Sequence, residues 1–294
     1  MHEKIIIVDY GSQYTQLIAR KVRELNVYCE IFPYYKITKK LLLFFQPCGI
    51  ILSGGPNSVK NKNAPKLNKD ILEFNIPILG ICYGLQIVTK FLGGSINKSR
   101  KREYGYAYIS LIKKSKLLNG LEKLNNQVWM SHGDHVSQIP KNFDITSKSN
   151  NHIISSIENK DKRIYGLQFH PEVFHTKKGK IIIKNFLFIV CKIKNKFKIE
   201  DFINDKITNL KKELKNKKVI CGVSGGIDST VTAFLLHKAI GKNLYCIFVN
   251  HGLLRKNENL EVNKIFKKKF KKNFISINAT KIFINRLTNV TDPE

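Results

Sequence analysis

The sequence lacks several features that would assign the protein to a secreted, membrane or metal-binding class. Its six cysteines include no CxxC pair, which argues against a zinc site or a disulfide framework and favours reduced thiols. The most apolar stretch, residues 181–191, is interrupted by Lys184 and Asn185 and is too short to span a bilayer. The N-terminal segment has no signal-peptide pattern. We therefore expect a cytoplasmic protein with no membrane partner.

Arginine and acidic residues are scarce relative to lysine. The chain has 22 acidic residues against 51 lysines and arginines, giving a net charge of +29, and only seven of the 51 are arginines. Such a charge can indicate a nucleic-acid partner. However, lysine, asparagine, isoleucine and phenylalanine are abundant together, which is typical of an AT-rich genome whatever the function. We therefore consider a nucleic-acid partner unlikely, and we assign runs such as 267–269 to a solvated helix face.

The first half of the chain alternates short apolar segments with helical patterns. Strands are predicted over residues 5–9, 27–32, 49–52 and 76–79, and a helix over 14–25. This alternation predicts an α/β fold with a doubly wound, mostly parallel sheet, in which ligands bind beyond the carboxyl ends of the strands. From Tyr104 to Phe169 the strand signals become shorter and richer in turns, which predicts an antiparallel section.

A second, partial α/β domain follows a lysine-rich stretch, residues 181–209, that we predict to be helical. We expect the boundary within this stretch, giving domains of residues 3–194 and 195–294. The second domain is predicted to contain a buried strand over 219–223 and further elements over 229–240, 244–249, 258–270 and 274–278.

Cys82 has the sequence setting of a nucleophile. It follows an apolar strand, has Gly80 and Gly84 two positions to either side, and precedes a helical pattern. This is typical of a nucleophile elbow, a tight strand-to-helix turn in which only small neighbours fit. The positive end of the helix dipole would also favour the thiolate. The alternative interpretation is a buried structural cysteine.

A candidate base and its orienting group follow the predicted strand over residues 164–168. His170 is separated from Glu172 by a single proline, which directs the carboxylate back toward the imidazole, where it would fix the tautomer and stabilise the imidazolium. An acyl-transfer site also needs hydrogen-bond donors for an oxyanion. The backbone N–H groups of Gly54, Gly55 and Tyr83 are candidates.

Three segments in this order, residues 53–56, 80–84 and 170–172, resemble the motifs of class I glutamine amidotransferases. The resemblance implies that Cys82 attacks the side-chain amide of glutamine and releases ammonia through a glutamyl thioester. It also implies that His170 acts as general base and acid and Glu172 as its orienting group. By the same resemblance, Gly55 and Tyr83 form the oxyanion hole and Gln86 helps to hold glutamine.

The second domain contains a small-residue loop between a predicted strand and a helix. Its residues are Ser224, Gly225, Gly226, Ile227, Asp228, Ser229 and Thr230. Small residues allow the backbone to wrap a phosphate chain at a helix N-terminus, but the lysine of a Walker A loop is absent. The loop resembles the pyrophosphate loop of N-type ATP pyrophosphatases, and Asp228 is a candidate Mg²⁺ ligand.

Together the two halves resemble the glutamine-hydrolysing GMP synthetases, and segments 9–14, 129–134 and 248–255 also match that family. The resemblance implies a cytoplasmic homodimeric ligase that uses glutamine, ATP with Mg²⁺ and xanthosine monophosphate (XMP), without an organic prosthetic group. ATP would adenylate the C2 oxygen of XMP, and ammonia would then displace AMP to give GMP.

Two departures from that family leave alternatives open. The family usually has aspartate where this chain has Asn250, and the chain stops at residue 294, within the pyrophosphatase domain and before the family's dimerisation region. One alternative is a stand-alone glutaminase with a vestigial nucleotide module. A nucleic-acid-modifying ATP pyrophosphatase is a third hypothesis, but it leaves the amidotransferase half without a role.

Overall fold

The computed structural model describes residues 3–194 and 197–291; for residues 99–102, 199 and 201 it describes only the backbone. The chain divides into two compact units, of which the first ends at Phe197 and the second begins at Lys198. The predicted boundary between residues 194 and 195 falls beside residues 195 and 196, which lie outside the described residues. The same holds for the predicted end of the second domain, residues 292–294.

The first unit contains one mixed sheet. Its strands are β1 (Lys4–Asp9), β2 (Tyr28–Pro33), β3 (Gly49–Leu52), β4 (Ile78–Ile81), β5 (Ser95–Leu111), β6 (Asn126–Gln138), β7 (Asp144–Ser149), β8 (Ile154–Asn159) and β9 (Ile164–Leu167). Among the described residues they form nine strands in the order β2-β1-β3-β4-β9-β8-β7-β5-β6. The part from β2 to β9 is parallel, and the part from β9 to β6 is antiparallel. The predicted α/β class is confirmed.

Helices cover both faces of the parallel part. They are α1 (Thr15–Glu24), α2 (Lys39–Phe45), α3 (Asp70–Glu73), α4 (Tyr83–Phe91) and α5 (Gly179–Asn185). Strand β1 shows the pattern: Ile5 and Ile7 pack into one apolar cluster with α1 and α5, while Ile6 and Val8 pack into another with α2, α3 and α4. Successive side chains of a strand point to opposite faces, so a sheet covered on both faces needs continuous apolar runs.

The antiparallel part is present as predicted, but two of its strands are not short. β5 and β6, with 17 and 13 residues, are the longest strands that the structure describes. Their polar and glycine residues suggested turns, whereas β6 alternates buried and partly exposed positions as a strand with one covered face does. The period-2 burial pattern outweighs the low strand propensity of residues such as Gly133.

The helical stretch predicted over residues 181–209 is interrupted. Helix α5 continues as one π-helical segment, Phe186–Val190, and the next helix, α6 (Ile199–Leu214), belongs to the second unit. Lys192 has a φ of 58°, a left-handed conformation that ends a right-handed helix. Ile193 then packs into the core of the first unit.

The second unit has three parallel strands in the order β10-β11-β12 among its described residues. They are β10 (Val219–Gly222), β11 (Leu244–Asn250) and β12 (Phe274–Asn278), accompanied by α7 (Ile227–Ile240), α8 (Glu258–Phe270) and α9 (Thr280–Arg286). The expectation that the first strand is buried was wrong: Cys221 is buried, but Ile220 is 71% exposed. β10 is an edge strand, and one of its faces is uncovered in this unit. No described helix is both long and apolar enough to cross a membrane.

Candidate active site

Cys82 lies between β4 and α4 in a strained backbone conformation. Its φ is 52° and its ψ is −104°, a combination that costs a non-glycine residue about 1–3 kcal/mol. A Cβ added to Gly80 would lie 2.6 Å from the carbonyl carbon of Gly84, and one added to Gly84 would overlap the carbonyl oxygen of Leu52. The turn therefore requires glycine at both positions, which is the physical basis of the spacing seen in the sequence.

His170 and Glu172 form a buried pair just after β9. The Nδ1 atom of His170 lies 2.7 Å from Oε1 of Glu172, and the two side chains are 4% and 0% exposed. The backbone of His170 is fixed as well, because its N–H donates to the carbonyl oxygen of Trp129 at 3.0 Å. The Thr176 hydroxyl donates to the carbonyl oxygen of His170 at 2.6 Å. The imidazole is therefore held in one orientation.

The thiol of Cys82 interacts with His170. Burial alone would lower the pKa of His170, but the charge of Glu172 and hydrogen bonds with Cys82 and Glu172 outweigh it, so the pKa lies well above its ordinary value. The sulfur of Cys82 also lies 3.6 Å from the carbonyl oxygen of Ser131 and 3.7 Å from Nε2 of Gln168. The arrangement can transfer a proton from the thiol to a base whose other nitrogen is already paired with a carboxylate.

The predicted oxyanion residues lie next to this pair. A Cβ on Gly54 would lie 3.0 Å from Cε1 of His170, and one on Gly55 would lie 2.8 Å from the carbonyl oxygen of Tyr10. Within residues 3–194, the backbone N–H groups of Gly55 and Tyr83 donate no hydrogen bond. They are available to a ligand oxygen, as an oxyanion hole requires.

A cavity of about 440 Å³ lies in front of these groups; Gly54 is not part of its lining, and Glu172 lies behind His170. Gly55, Cys82, Tyr83, Gln86 and His170 line it. Gln86 is 4% exposed, and its Nε2 donates to the carbonyl oxygen of Asp134 at 2.8 Å. The structure therefore brings five of the predicted site residues together at one cavity, with Glu172 paired to one of them and Gly54 outside the lining.

The sequence analysis gave no role to several residues that also line the cavity. They are Ser12, Tyr14, Ser58, Lys98 and the β6 segment 131–134. The ring of Tyr14 contacts His170 edge-on at 5.0 Å between centroids. The position of the Tyr14 segment directly after β1 was a usable signal, because parallel strands end at the same edge of a sheet. The β6 segment gave no positional signal, since it comes from the middle of an antiparallel strand; its only signal was the family resemblance of residues 129–134.

In the second unit, residues 224–230 form one continuous segment, of which 224–226 are the loop after β10 and 227–230 are the first turn of α7. Gly225 has a φ of 87°, and a Cβ there would lie 2.5 Å from Cγ2 of Val262. The Ser229 hydroxyl accepts from the N–H of Ser224 at 3.2 Å, and the Thr230 hydroxyl donates to the carbonyl oxygen of Gly226 at 2.8 Å. These bonds shape an exposed backbone turn at a helix N-terminus, where anions bind favourably.

Asp228 belongs to this segment, and Asn250 lies on the neighbouring strand. Asp228 is an exposed residue in the first turn of α7, and Asn250 ends the adjacent strand β11, where its Oδ1 accepts from the N–H of Gly252 at 3.0 Å. No group of three or more metal-ligating side chains occurs in the part of the chain that the structure describes. A single carboxylate fits Mg²⁺ only where phosphate oxygens and waters supply the other ligands.

A cysteine elbow facing a buried histidine–glutamate pair, at the carboxyl edge of an α/β sheet, is the arrangement that thiol-dependent acyl transfer requires. A family model described as glutamine amidotransferase class-I matches residues 6–190. Because this is more than half of the chain, the chain belongs to the class-I glutamine amidotransferase family, as its motifs predicted. A second family model, described as NAD synthase, matches residues 197–292.

Over almost its whole length the chain is similar to glutamine-hydrolysing GMP synthases. It is 51% identical to that of Clostridium kluyveri and 48% identical to that of Clostridium tetani, in both cases over 99% of this chain. The chain spans 57% of the length of each of these relatives.

Two solved structures resemble the first unit. A protein from Thermoplasma acidophilum, described as one subunit of a GMP synthase, has a TM-score of 0.56 and 31% identity, and the match covers 65% of this chain and 95% of that chain. A glutamine amidotransferase from Thermotoga maritima has a TM-score of 0.55 at 18% identity, with coverage of 65% and 99%. The second likeness concerns the fold alone.

Proposed function

We propose that the first unit hydrolyses glutamine to glutamate and ammonia, with Cys82 as nucleophile. One observation carries this proposal: the strained turn at Cys82 faces the imidazole of His170, whose Nδ1 lies 2.7 Å from the buried carboxylate of Glu172. Membership in the class-I glutamine amidotransferase family supports the choice of glutamine as substrate.

The first half of the reaction forms a thioester. His170 takes the proton of the Cys82 thiol, and the sulfur attacks the side-chain amide carbon of glutamine. The N–H groups of Gly55 and Tyr83 donate to the oxyanion of the tetrahedral intermediate. The imidazolium then gives its proton to the departing nitrogen, the C–N bond breaks, and ammonia leaves the glutamyl thioester.

The second half of the reaction restores the thiol. His170 takes a proton from a water molecule, and the resulting hydroxide attacks the thioester carbonyl at the same oxyanion site. The C–S bond breaks, glutamate leaves, and the proton on His170 returns to the sulfur. Glu172 faces the imidazolium in both halves of the reaction and stabilises it each time. Gln86, fixed to the cavity wall by its amide, contacts the bound glutamine.

We propose that the second unit uses this ammonia to make GMP from XMP and ATP; the similarity of the chain to glutamine-hydrolysing GMP synthases supports GMP as the product. In this reaction the C2 oxygen of XMP attacks the α-phosphorus of ATP and releases pyrophosphate. Ammonia then displaces AMP from the adenylated intermediate. The segment 224–230 would bind the phosphate chain through its backbone N–H groups and the hydroxyls of Ser229 and Thr230.

Mg²⁺ would be held by Asp228 together with the phosphate oxygens of ATP, whose charge it would neutralise. The resemblance to the GMP synthetase family also supports the proposal of a homodimer in the cytoplasm. Because the chain spans 57% of its relatives' length, we expect XMP amination only when the remaining part of the relatives' sequence is supplied. The alternative, a stand-alone glutaminase, predicts no synthetase reaction under any such condition.

The amidotransferase proposal is tested by measuring glutamate formation from glutamine with the purified chain and its Cys82→Ala variant. We expect the variant to be inactive. Cys29→Ala is the matched control, because the Cys29 thiol is also buried but donates to the carbonyl oxygen of Ala19, far from the cavity lining. Equal activity in Cys82→Ala and wild type would refute the proposal.

The synthetase proposal is tested separately by exchange of labelled pyrophosphate into ATP in the presence of XMP, with the relatives' remaining sequence added. We expect exchange that depends on XMP and is lost in Gly225→Ala. Complete absence of exchange, with glutaminase activity intact, would favour the stand-alone glutaminase.

A further inference from the structure

The pairing of β5 with β6 is interrupted beside the cavity. Lys98 pairs with Asp134, and the next pairing along the ladder joins Glu103 to His132. Four residues of β5, 99–102, therefore stand opposite Gly133 alone. An irregularity of this kind breaks the backbone ladder locally. As a result, the cavity wall formed by residues 131–134 is not held by a continuous set of backbone pairings.

The side chains of the first pair after the interruption compensate for it. Oε2 of Glu103 lies 3.3 Å from Nε2 of His132, and the two side chains are 5% and 1% exposed. The other carboxylate oxygen of Glu103 accepts from the Ser149 hydroxyl at 3.0 Å and from Nδ2 of Asn151 at 2.8 Å. The carboxylate is therefore anchored to residues at the end of β7, and it reaches across to β6.

The carboxylate of Glu103 is ionised at neutral pH. Burial would raise its pKa, but the interactions with His132, Asn151 and Ser149 together outweigh burial and hold the pKa below its ordinary value. Among the described residues, Oε2 of Glu103 and both ring nitrogens of His132 have no well-aligned hydrogen bond. Buried polar atoms are costly to leave unpaired, so a small movement that aligns these two groups is favourable. Hydrogen bonds in unliganded active sites often tighten in this way when a ligand binds.

The wall that this pair holds makes two contacts with predicted site residues. The carbonyl oxygen of Ser131, next to His132, lies 3.6 Å from the Cys82 sulfur. The carbonyl oxygen of Asp134 accepts from Gln86 at 2.8 Å. A displacement of the wall by about 1 Å would disturb both contacts and the width of the cavity, and misplacement on that scale has large effects on reactivity.

We propose that Glu103 and His132 are positioning residues for glutamine: their buried pair fixes the β6 wall so that Gln86 and the Cys82 thiol meet the substrate in register. This inference rests on the proposed function of the first unit. The pair touches neither the reacting sulfur nor His170, and it acts through the backbone of residues 131–134. It therefore affects substrate binding more than the chemical step.

The test compares the full-length chain with Glu103→Ala, Glu103→Gln, His132→Ala and the double alanine variant. Glutamate formation gives KM and kcat for glutamine, and the dissociation constant of glutamine is measured by calorimetry in a Cys82→Ala background. Glu158→Gln is the matched control, because Glu158 is also buried but its carboxylate faces Ser115, at 2.5 Å, and Lys160, at 3.5 Å, whereas that of Glu103 faces His132 of the cavity wall. Melting temperatures establish that each variant is folded.

We expect KM and the dissociation constant to rise about tenfold in each alanine variant, the loss expected for one charge-assisted hydrogen bond, with kcat reduced less than about threefold. Glu103→Gln, which can still bond Ser149 and Asn151, should recover part of the affinity. The double variant should be no worse than Glu103→Ala, because that substitution alone already removes the interaction with His132. The control should leave KM unchanged.

Unchanged KM and dissociation constant in folded alanine variants would overturn the inference, as would an equal effect in Glu158→Gln or additive effects in the double variant. A wild-type chain that binds glutamine without hydrolysing it would contradict the proposed function. In that case a tenfold weaker dissociation constant in the Glu103 variant would still support the positioning role.

Discussion

Replacing Glu172 by glutamine tests whether the buried carboxylate drives the chemistry of His170. The substitution preserves side-chain volume and removes a charge that lies 2.7 Å from Nδ1. Two unit charges about 4 Å apart interact by about 4 kcal/mol at an effective dielectric constant of about 20. Each 1.36 kcal/mol corresponds to about tenfold in rate. If this stabilisation acts on the imidazolium formed in the transition state, kcat/KM for glutamine should fall by about 10³-fold.

The pH dependence of the same variant gives a second, independent readout. Glu172 raises the pKa of His170 in the folded protein, so its removal lowers that pKa. The limb of the pH–rate profile that reports His170 should therefore move to lower pH. The assay is steady-state glutamate formation between about pH 5 and 10, a range that brackets the ordinary pKa of histidine.

The reasoning fails if a folded Glu172→Gln protein loses less than about tenfold in kcat/KM, or if neither limb of its profile moves. Glu158→Gln serves as control here too, since it removes another buried carboxylate. A loss of activity in the control equal to that in Glu172→Gln would assign the effect to general destabilisation and not to the charge that faces His170.

Three further predictions concern single residues. Gly84→Ala should lower the melting temperature and abolish glutaminase activity, because its Cβ would overlap the Leu52 carbonyl oxygen and overpacking of this kind costs about 1–3 kcal/mol or more. Gly225→Ala should weaken ATP binding in a nucleotide-binding assay and leave glutamate formation unchanged, because φ at this position is 87°. Iodoacetamide should label Cys82 well before Cys29, whose pKa is raised to about 11 by burial, as measured by peptide mass spectrometry.

Each of these predictions has a control or a contradicting result. Gly222→Ala introduces a Cβ that meets nothing within 4 Å, so it should leave ATP binding unchanged; a loss equal to that of Gly225→Ala would contradict the backbone argument. Full activity in Gly84→Ala would mean that the elbow can relax. Faster labelling of Cys29 than of Cys82 would contradict the assignment of Cys82 as the reactive thiol.

The sequence predicted the tight turn at Cys82 because its constraint is local. Glycines on either side of Cys82 are needed by atoms within a few residues and by one neighbouring strand, and such requirements remain visible as spacing. The histidine–glutamate pair is local for the same reason, since a single proline separates its members. The parallel strands were equally readable, because burial on both faces leaves continuous apolar runs.

The cavity wall could not be predicted, because it depends on long-range register. Residues 131–134 reach Cys82 only through the β5–β6 pairing, and four residues opposite Gly133 shift that pairing. Nothing in the local composition records which residues of two long strands face each other. The exposure of Ile220 was not predicted for a related reason. An apolar strand sequence indicates burial, but each face of the strand is buried only if a helix or another part of the fold packs against it.

Both units contain a strand–turn–helix connection with a positive φ in the turn, but the residue at that position differs. In the first unit, the strained positive φ falls on Cys82, so the turn projects the thiol into the cavity. The glycines at positions 80 and 84 have no side chains that would clash with the tight turn. In the second, the positive φ falls on Gly225, so no side chain projects and backbone N–H groups remain open to a large anion. Exchanging the two residue types would remove both functions: glycine at 82 leaves no nucleophile, and a side chain at 225 strains the turn and meets Val262. The residue type at the positive-φ position therefore distinguishes the turn that we propose as a nucleophile from the turn that we propose as a phosphate-binding site.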